Sequence, residues 1–434
     1  MSRDEPRASL PIPVSGPLEG EIQAPPSKSL TIRAMAAAAL ASGRSTLRGP
    51  LLSDDTFLMA RGLEALGIQV SRGSSFVELE GRSGGIPSRG ATLDLGDAGT
   101  PLRLLTGICC LGRGRFLLDG SPRMRQRPVA DLIEAVGSLG VSIRSLNGDG
   151  CPPVEILAGG FPGGRARLRG DVSSQYLSSL LMVAPCGASD LEIEVAGNLV
   201  SRPYVDLTIQ VMERFGAAVH RDGYSRFRVP AGSSYRPVDY PVEGDASSAS
   251  YFFAAAAIAG GRVRVTGIPA DSRQGDLRFL DLLEAMGCIV RREAGGLEVE
   301  AEPGTLHGIQ ADLADTPDIA PTLAAVALFT RGPTTLSRIS HLRGKETDRV
   351  ESVAACVRAL GGGAETGPDF LTVTPPPKGP AGLRGCDIDP QGDHRLAMAF
   401  SLTGLAVPGV RITDPSCVGK SFPDFFDQLR ALTA

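Results

Sequence analysis

Along the chain, apolar stretches with almost no charge alternate with stretches in which apolar and polar residues divide the faces of a helix. Six apolar stretches share one design, a polar knot followed by an Ala/Leu-rich run. They are SKSLTIRAMAAAAL, GDAGTPLRLLTGICCL, DVSSQYLSSLLMVAP, GDASSASYFFAAAAIAG, DTPDIAPTLAAVALF and GDHRLAMAFSLTGLA. One marker in each (Arg33, Arg103, Tyr176, Tyr251, Thr322, Arg395) recurs at steps of 70, 73, 75, 71 and 73 residues. A second series, Asp55, Asp131, Asp206, Asp276, Asp348 and Asp424, recurs at steps of 76, 75, 70, 72 and 76. Each Asp opens an amphipathic helix, where an acid suits the helix dipole. Five of those helices close on an apolar–Gly pair: Leu66-Gly67, Leu139-Gly140, Phe215-Gly216, Met286-Gly287 and Leu360-Gly361. Gly just past the last turn is the common helix stop. Short strand-like runs follow, such as Ile68-Gln69-Val70 and Cys288-Ile289-Val290.

The pattern therefore predicts six copies of a unit of about 72 residues, each with a buried helix, an amphipathic helix and several strands. The sixth copy has no room for strands before Ala434, and the stretch Pro11 to Ile22 is expected to complete it. A helix apolar all round is buried on every side. Six such helices belong inside, with strands and amphipathic helices around them. The expected fold is α/β, with two similar lobes of three repeats each. One lobe takes residues 1–26 with 244–434, and the other is the inserted stretch 27–243. Because every polar knot precedes a buried helix, the helix N-termini are expected to face one cleft and attract anions.

Composition narrows the function. The chain has 434 residues, 42% apolar and 21% charged, with 44 basic against 48 acidic side chains. A net charge of −4 argues against a nucleic-acid binder held by overall charge. No run reaches the roughly 20 apolar residues that span a bilayer, and no apolar signal region follows the N-terminus. Eight scattered cysteines form no CxxC pair. These features predict a reduced cytoplasmic protein without disulfides or structural zinc.

The polar knots carry the candidate chemistry. Ser27-Lys28-Ser29, with Arg33 one turn on, opens an otherwise uncharged helix. Ser there is ordinarily a cap, but a buried cation needs a partner unless it snorkels to the surface. Gly96-Asp97-Ala98-Gly99-Thr100 would let backbone approach a ligand closely. Arg123, Arg125 and Arg127 alternate, and in an extended segment would point one way, toward a phosphate or carboxylate. Ser173-Ser174-Gln175, Ser201 to Tyr204, and Asp318 read alone as caps and turns. Lys345-Glu346-Thr347-Asp348-Arg349 reads as a helix start with local ion pairs. Asp393-His394-Arg395 and Gly419-Lys420 add further cations near buried helices.

Taken together, PPSKSLTIRA, GDAGTPLRLL, PRMRQRP, DVSSQYL, SRPYVDLT, EGDASSASYF, LRGKETDR, GDHRLAMAFSL and GKSFPDFF resemble, in order, the motifs of the enolpyruvyl transferases. The resemblance spans essentially the whole chain and is to the branch acting on shikimate 3-phosphate. It implies two lobes of three βαβαββ units, an inside-out α/β barrel. It implies transfer of the enolpyruvyl group of phosphoenolpyruvate to the 5-hydroxyl of shikimate 3-phosphate, on the route to chorismate and the aromatic amino acids. It implies no metal and no organic cofactor, and the expected state is a monomer with no nucleic-acid or membrane partner.

The resemblance further places Ser29, Arg33, Ser173, Ser174, Ser201, Tyr204 and His341 on shikimate 3-phosphate, and Gln175 between the substrates. Lys28 touches both. Gly99, Arg127, Arg349, Arg395 and Lys420 take phosphoenolpyruvate. Asp318 and Lys345 surround the reacting hydroxyl, and Glu346 faces the methylene carbon. The inserted lobe thus takes mainly shikimate 3-phosphate, and the other carries part of the phosphoenolpyruvate clamp. Two positions depart from the family, which has Asn where this chain has Asp97 and His341. The alternatives are the sister enzyme acting on UDP-N-acetylglucosamine and an inactive anion-binding protein. Against the first stand Lys28-Ser29 in place of Lys-Asn and the lack of a Cys between Ser121 and Gln126.

Overall fold

The computed structural model describes residues 9–232 and 235–433. The chain divides into two compact units, one running through residues 26–243 and the other combining the segment up to Pro25 with 244 onward.

In the unit of residues 26–243, α1 (Lys28–Leu40), α3 (Gly99–Cys110) and α5 (Ser174–Val183) alternate with α2 (Asp54–Ala65), α4 (Ala130–Ser138) and α6 (Arg202–Arg214). The odd helices are buried on every face, as their uncharged sequences require, whereas α2, α4 and α6 bury one stripe. Small residues permit this. A Cβ on Gly107 of α3 would stand 2.6 Å from Ser179 Oγ of α5, so the two helices meet closely only because that position is glycine.

The second unit repeats the plan with α7 (Ala246–Ala259), α9 (Ala320–Ala327) and α11 (His394–Ser401) buried. Its outer helices are α8 (Arg278–Met286), α10 (Arg349–Ala359) and α12 (Phe425–Thr433). The predicted glycine stops all adopt left-handed backbone, from φ +88° at Gly67 to +108° at Gly287.

Each repeat owns a sheet of one design. Two parallel strands lead, and two antiparallel strands follow, as in Gly90–Asp94, Arg113–Asp119, Val154–Gly159 and Ser142–Ser145. The first sheet of each unit borrows its leading strand. Asp239–Pro241 runs parallel to Arg44–Arg48 in one unit, and Leu18–Gln23 runs parallel to Gly261–Thr266 in the other. This corrects the expectation for Pro11 to Ile22, because that stretch splits. Leu10–Pro11 pairs with Arg411–Ile412 and supplies the missing antiparallel strand of the sixth sheet, which has three strands. Leu18–Gln23 joins the fourth sheet. The proline-broken linker between them cannot continue a ladder, so the chain changes sheets there. All eight cysteines are free thiols, and no described helix is long and apolar enough to cross a membrane.

Candidate functional site

In the unit of residues 26–243, the buried helices start with polar side chains that the core would otherwise reject. Ser27 caps α1 through its side chain, and the adjacent Lys28 Nζ lies 3.0 Å from Asp55 Oδ2 on α2. Arg33, one turn into α1, is buried without a carboxylate. Its Nε donates to Thr208 Oγ1 at 2.8 Å, and its two Nη atoms donate to the carbonyls of Ser29 and Tyr204. The Tyr204 ring lies 5.9 Å from the guanidinium carbon. Burial brings its pKa down to about 10, so it stays cationic at neutral pH. Arg103 repeats the arrangement on α3 with the carbonyls of Gly99 and Pro128.

Gly99 opens α3 directly beneath Arg127, and a Cβ there would stand 2.8 Å from Arg127 Nη2. Arg127 donates to the carbonyl of Asp97, whose carboxylate accepts from Ser121 Oγ. The three alternating arginines have different described partners. Residues 124–126 form a 3-10 turn rather than an extended strand, so Arg125 turns to Asp119 and Arg123 to Gln126, while Arg127 lies beside the start of α3. Ser173 caps α5 by accepting from Gln175 N, Ser174 is buried at its first position, and Gln175 Nε2 reaches Thr100 Oγ1. Ser201 precedes α6 at φ +55° with no side-chain bond to the helix. Left-handed backbone at a non-glycine residue stores strain of order 1 kcal/mol and concentrates at functional positions.

In the other unit, ionic groups gather around Arg349, whose side chain is 2% exposed. Its Nε donates to Asp393 Oδ2 at 2.7 Å, and its Nη2 donates to both Asp393 Oδ1 and Glu346 Oε2. Its Nη1 donates to Asp318 Oδ1 at 3.2 Å. Arg395 Nη2 holds the other oxygen, Asp318 Oδ2, at 2.7 Å, while its Nη1 lies 3.4 Å from Tyr251 Oη. Asp318 thus bridges two buried guanidiniums and is not a helix cap. Glu346 lies ahead of α10, which Asp348 caps, so it is an ion-pair partner rather than a first-turn acid. Burial alone would lower the Arg349 pKa, but the charges of Asp393, Glu346 and Asp318 outweigh it and hold the value above the ordinary one.

His341 sits in the short turn Ser340–Gly344, just before Lys345. Both its ring nitrogens are buried without a hydrogen-bond partner among the described residues. Burial, with the charge of Lys345, drives its pKa down to about 4, so the ring is neutral at pH 7. Lys420 ends the turn Pro415–Lys420 and is buried; that turn packs on α11.

Four residues of these clusters were given no site role from the sequence. Asp55 and Asp276 belong to the regular aspartate series but act on buried helix starts: Asp55 holds Lys28, and Asp276 accepts from Ser247 Oγ of α7. Asp276 meets a serine hydroxyl where Asp55 meets a lysine. Burial and the charge of Asp318, opposed by the Ser247 bond, push its pKa up to about 7. Asp393 anchors Arg349, and Tyr251 abuts Arg395. The period of the aspartates was the one available signal for the first two.

The family profile described as EPSP synthase (3-phosphoshikimate 1-carboxyvinyltransferase) matches residues 12–429. A protein of Methanoculleus marisnigri named 3-phosphoshikimate 1-carboxyvinyltransferase is 48% identical over 416 residues, covering 96% of this chain and 97% of its own. One of the same name from Shewanella loihica is 46% identical over 419 residues, with 96% and 97% coverage. The structure of EPSP synthase from Acinetobacter baumannii superposes with a TM-score of 0.79 at 24% identity, covering 98% of both chains. The fold of three repeats per unit, the ordered motifs and this near full-length likeness together place the chain in the EPSP synthase family.

Proposed function

We propose that the chain transfers the enolpyruvyl group of phosphoenolpyruvate to the 5-hydroxyl of shikimate 3-phosphate and releases phosphate. The observation that carries this reading is the pair of buried guanidiniums, Arg349 and Arg395, joined through Asp318 with Glu346 on the same Arg349. Two guanidiniums and three carboxylates, Asp318, Glu346 and Asp393, in one cluster suit a reaction that binds an anion and moves protons.

Arg349, Arg395 and Lys420 hold phosphoenolpyruvate, together with Arg127 and the N–H of Gly99 at the start of α3. Arg is suited to bidentate capture of carboxylate and phosphate. Ser29, Arg33, Ser173, Ser174, Ser201, Tyr204 and His341 hold shikimate 3-phosphate, with Gln175 and Lys28 serving both. The unit of residues 26–243 accordingly takes mainly shikimate 3-phosphate. Glu346 protonates carbon 3 of phosphoenolpyruvate while the 5-hydroxyl attacks carbon 2, and Asp318 or Lys345 takes the hydroxyl proton. The tetrahedral intermediate then expels phosphate, and Glu346 recovers a proton from the methyl group. Such general acid–base help is worth about 10²–10⁴-fold, and positioning two polyanions supplies further acceleration. The working form is a cytoplasmic monomer, which light scattering tests.

Phosphate release from phosphoenolpyruvate is the deciding measurement. Release that depends on shikimate 3-phosphate, and not on UDP-N-acetylglucosamine, is the expected result. Release with the nucleotide sugar instead would transfer the chain to the sister activity. Release with neither would leave an anion-binding protein.

A further inference from the structure

The Arg349 cluster holds the proposed proton donor and the proposed anion clamp in one ion pair. Of the carboxylates on Arg349, Asp393 is completely buried and engages the guanidinium through two of its nitrogens, whereas Glu346 engages it through one and keeps 13% of its side chain exposed. Asp393 is therefore the fixed anchor and Glu346 the replaceable partner. Pairing with a guanidinium favours the ionised form of a carboxyl group, and that form has no proton to give.

We propose that the carboxylate of phosphoenolpyruvate displaces Glu346 from Arg349, and that the displaced Glu346 takes up one proton from solvent and so becomes the acid. This rests on the reading of Arg349 as part of the clamp. The groups around Glu346 decide the sign. From α10 comes Arg349; from α11 come Asp393 and Arg395, both bonded to members of the cluster; from the turn before α9 comes Asp318. Lys345 is its neighbour in the chain, and Lys420 lies on the turn packed against α11. Once Arg349 serves the ligand, a mostly buried carboxylate faces added negative charge, and both desolvation and like charge favour its protonated form. Lys345 and Lys420 oppose this, but the ligand brings two anionic groups of its own. The proton balance closes: one proton enters on binding, moves to carbon 3, and returns when the methyl group is deprotonated during elimination. Internal carboxylates thus occupy the clamp beforehand, and the donor is loaded only when the correct anion arrives.

The test uses 2-phospholactate, which carries the carboxylate and phosphate but no double bond, added to enzyme saturated with shikimate 3-phosphate. Calorimetry at pH 7 in two buffers of different ionisation enthalpy counts protons taken up. The expected result is that the wild type takes up roughly half a proton or more beyond Glu346→Gln, with the variant still binding the analogue at least as tightly. Binding by the wild type with no proton uptake overturns the proposal and leaves the clamp reading intact. Uptake that persists unchanged in Glu346→Gln also overturns it, assigning the proton elsewhere. No binding by the wild type overturns both readings. Because the wild-type measurement alone can refute the idea, a poorly folded variant does not shield it.

Discussion

Buried arginines occur in both units, yet they are stabilised in opposite ways. In the unit of residues 26–243, the described partners of Arg33 are two carbonyls and a hydroxyl, and those of Arg103 are two carbonyls, the Met124 sulfur and the Tyr176 hydroxyl. In the other, Arg349 and Arg395 are met by carboxylates. Neutral acceptors satisfy donors without cancelling charge, so Arg33 keeps a net positive field for an anion. Carboxylates cancel it, so an anion reaching Arg349 must exchange with a partner already there. The first arrangement suits a substrate held unchanged at a distance from the reacting atoms. The second suits the place where protons move, because a carboxylate that loses its cationic partner is shifted toward its protonated form.

The contrast is tested hardest at Glu346. Glu346→Gln keeps size and shape but removes the ionisable group, and kcat should fall by about 10²-fold or more with substrate binding retained. Turnover within a few-fold of wild type would show that Glu346 does not donate the proton. Asp393→Asn comes next. It withdraws the fully buried anchor of Arg349, and denaturant unfolding should report a loss of about 3–5 kcal/mol, the scale for breaking a buried ion pair. A loss below about 1 kcal/mol would mean that Asp318 and Glu346 suffice to hold the guanidinium.

Acidity offers a third test. His341, with a folded value of about 4 against 6.5 unfolded, is neutral in both states at high pH and resists charging when folded. Its contribution is present above about pH 6.5 and lost as pH falls toward 4, by up to about 3 kcal/mol. Asp276 works in the opposite direction. Its raised value makes ionisation costly, so its contribution falls as pH rises from about 4 to about 7. The two slopes oppose each other over the same interval, so thermal melts of His341→Asn taken from pH 7 to 4 should show stability rising on acidification more than in the wild type. The smallest effect belongs to the neutral acceptors. Thr208→Val removes one bond to Arg33, and should cost about 1–3 kcal/mol while weakening shikimate 3-phosphate more than phosphoenolpyruvate by calorimetry. Equal weakening of both would reject Arg33's assignment.

The architecture was largely legible because it is periodic. Uncharged runs announced the buried helices, and the glycines after Leu66, Leu139 and Phe215 announced where the outer ones stop. What was not legible depended on packing between distant segments. Asp55 meets Lys28 across 27 residues, and Asp276 meets Ser247 across 29; sequence showed both only as helix-opening acids. Arg123 and Arg125 were read as partners of Arg127, because nothing in their alternation reveals the turn that separates them. The hub at Arg349 joins residues from two repeats: the pairing with Glu346 was legible as a local ion pair, whereas Asp318 and Asp393 lie 31 and 44 residues away and left no trace in the spacing.

The two borrowed strands also set a schedule for synthesis. Residues 26–243 contain every strand their sheets need, including Asp239–Pro241 beside Arg44–Arg48, and Ser27 N bonds to the carbonyl of Glu243 at the far end of the segment. This unit can close as soon as its last strand leaves the ribosome. The other cannot. Leu18–Gln23 waits for Gly261–Thr266, and Leu10–Pro11 waits for Arg411–Ile412; the second wait lasts roughly 20–80 s at about 5–20 residues per second. Throughout it, a strand with unpaired edges is exposed near the start of the nascent chain. Chains stalled near residue 290 should therefore resist protease within residues 26–243 while being cut between residues 9 and 17; protection of both at that length would refute the schedule.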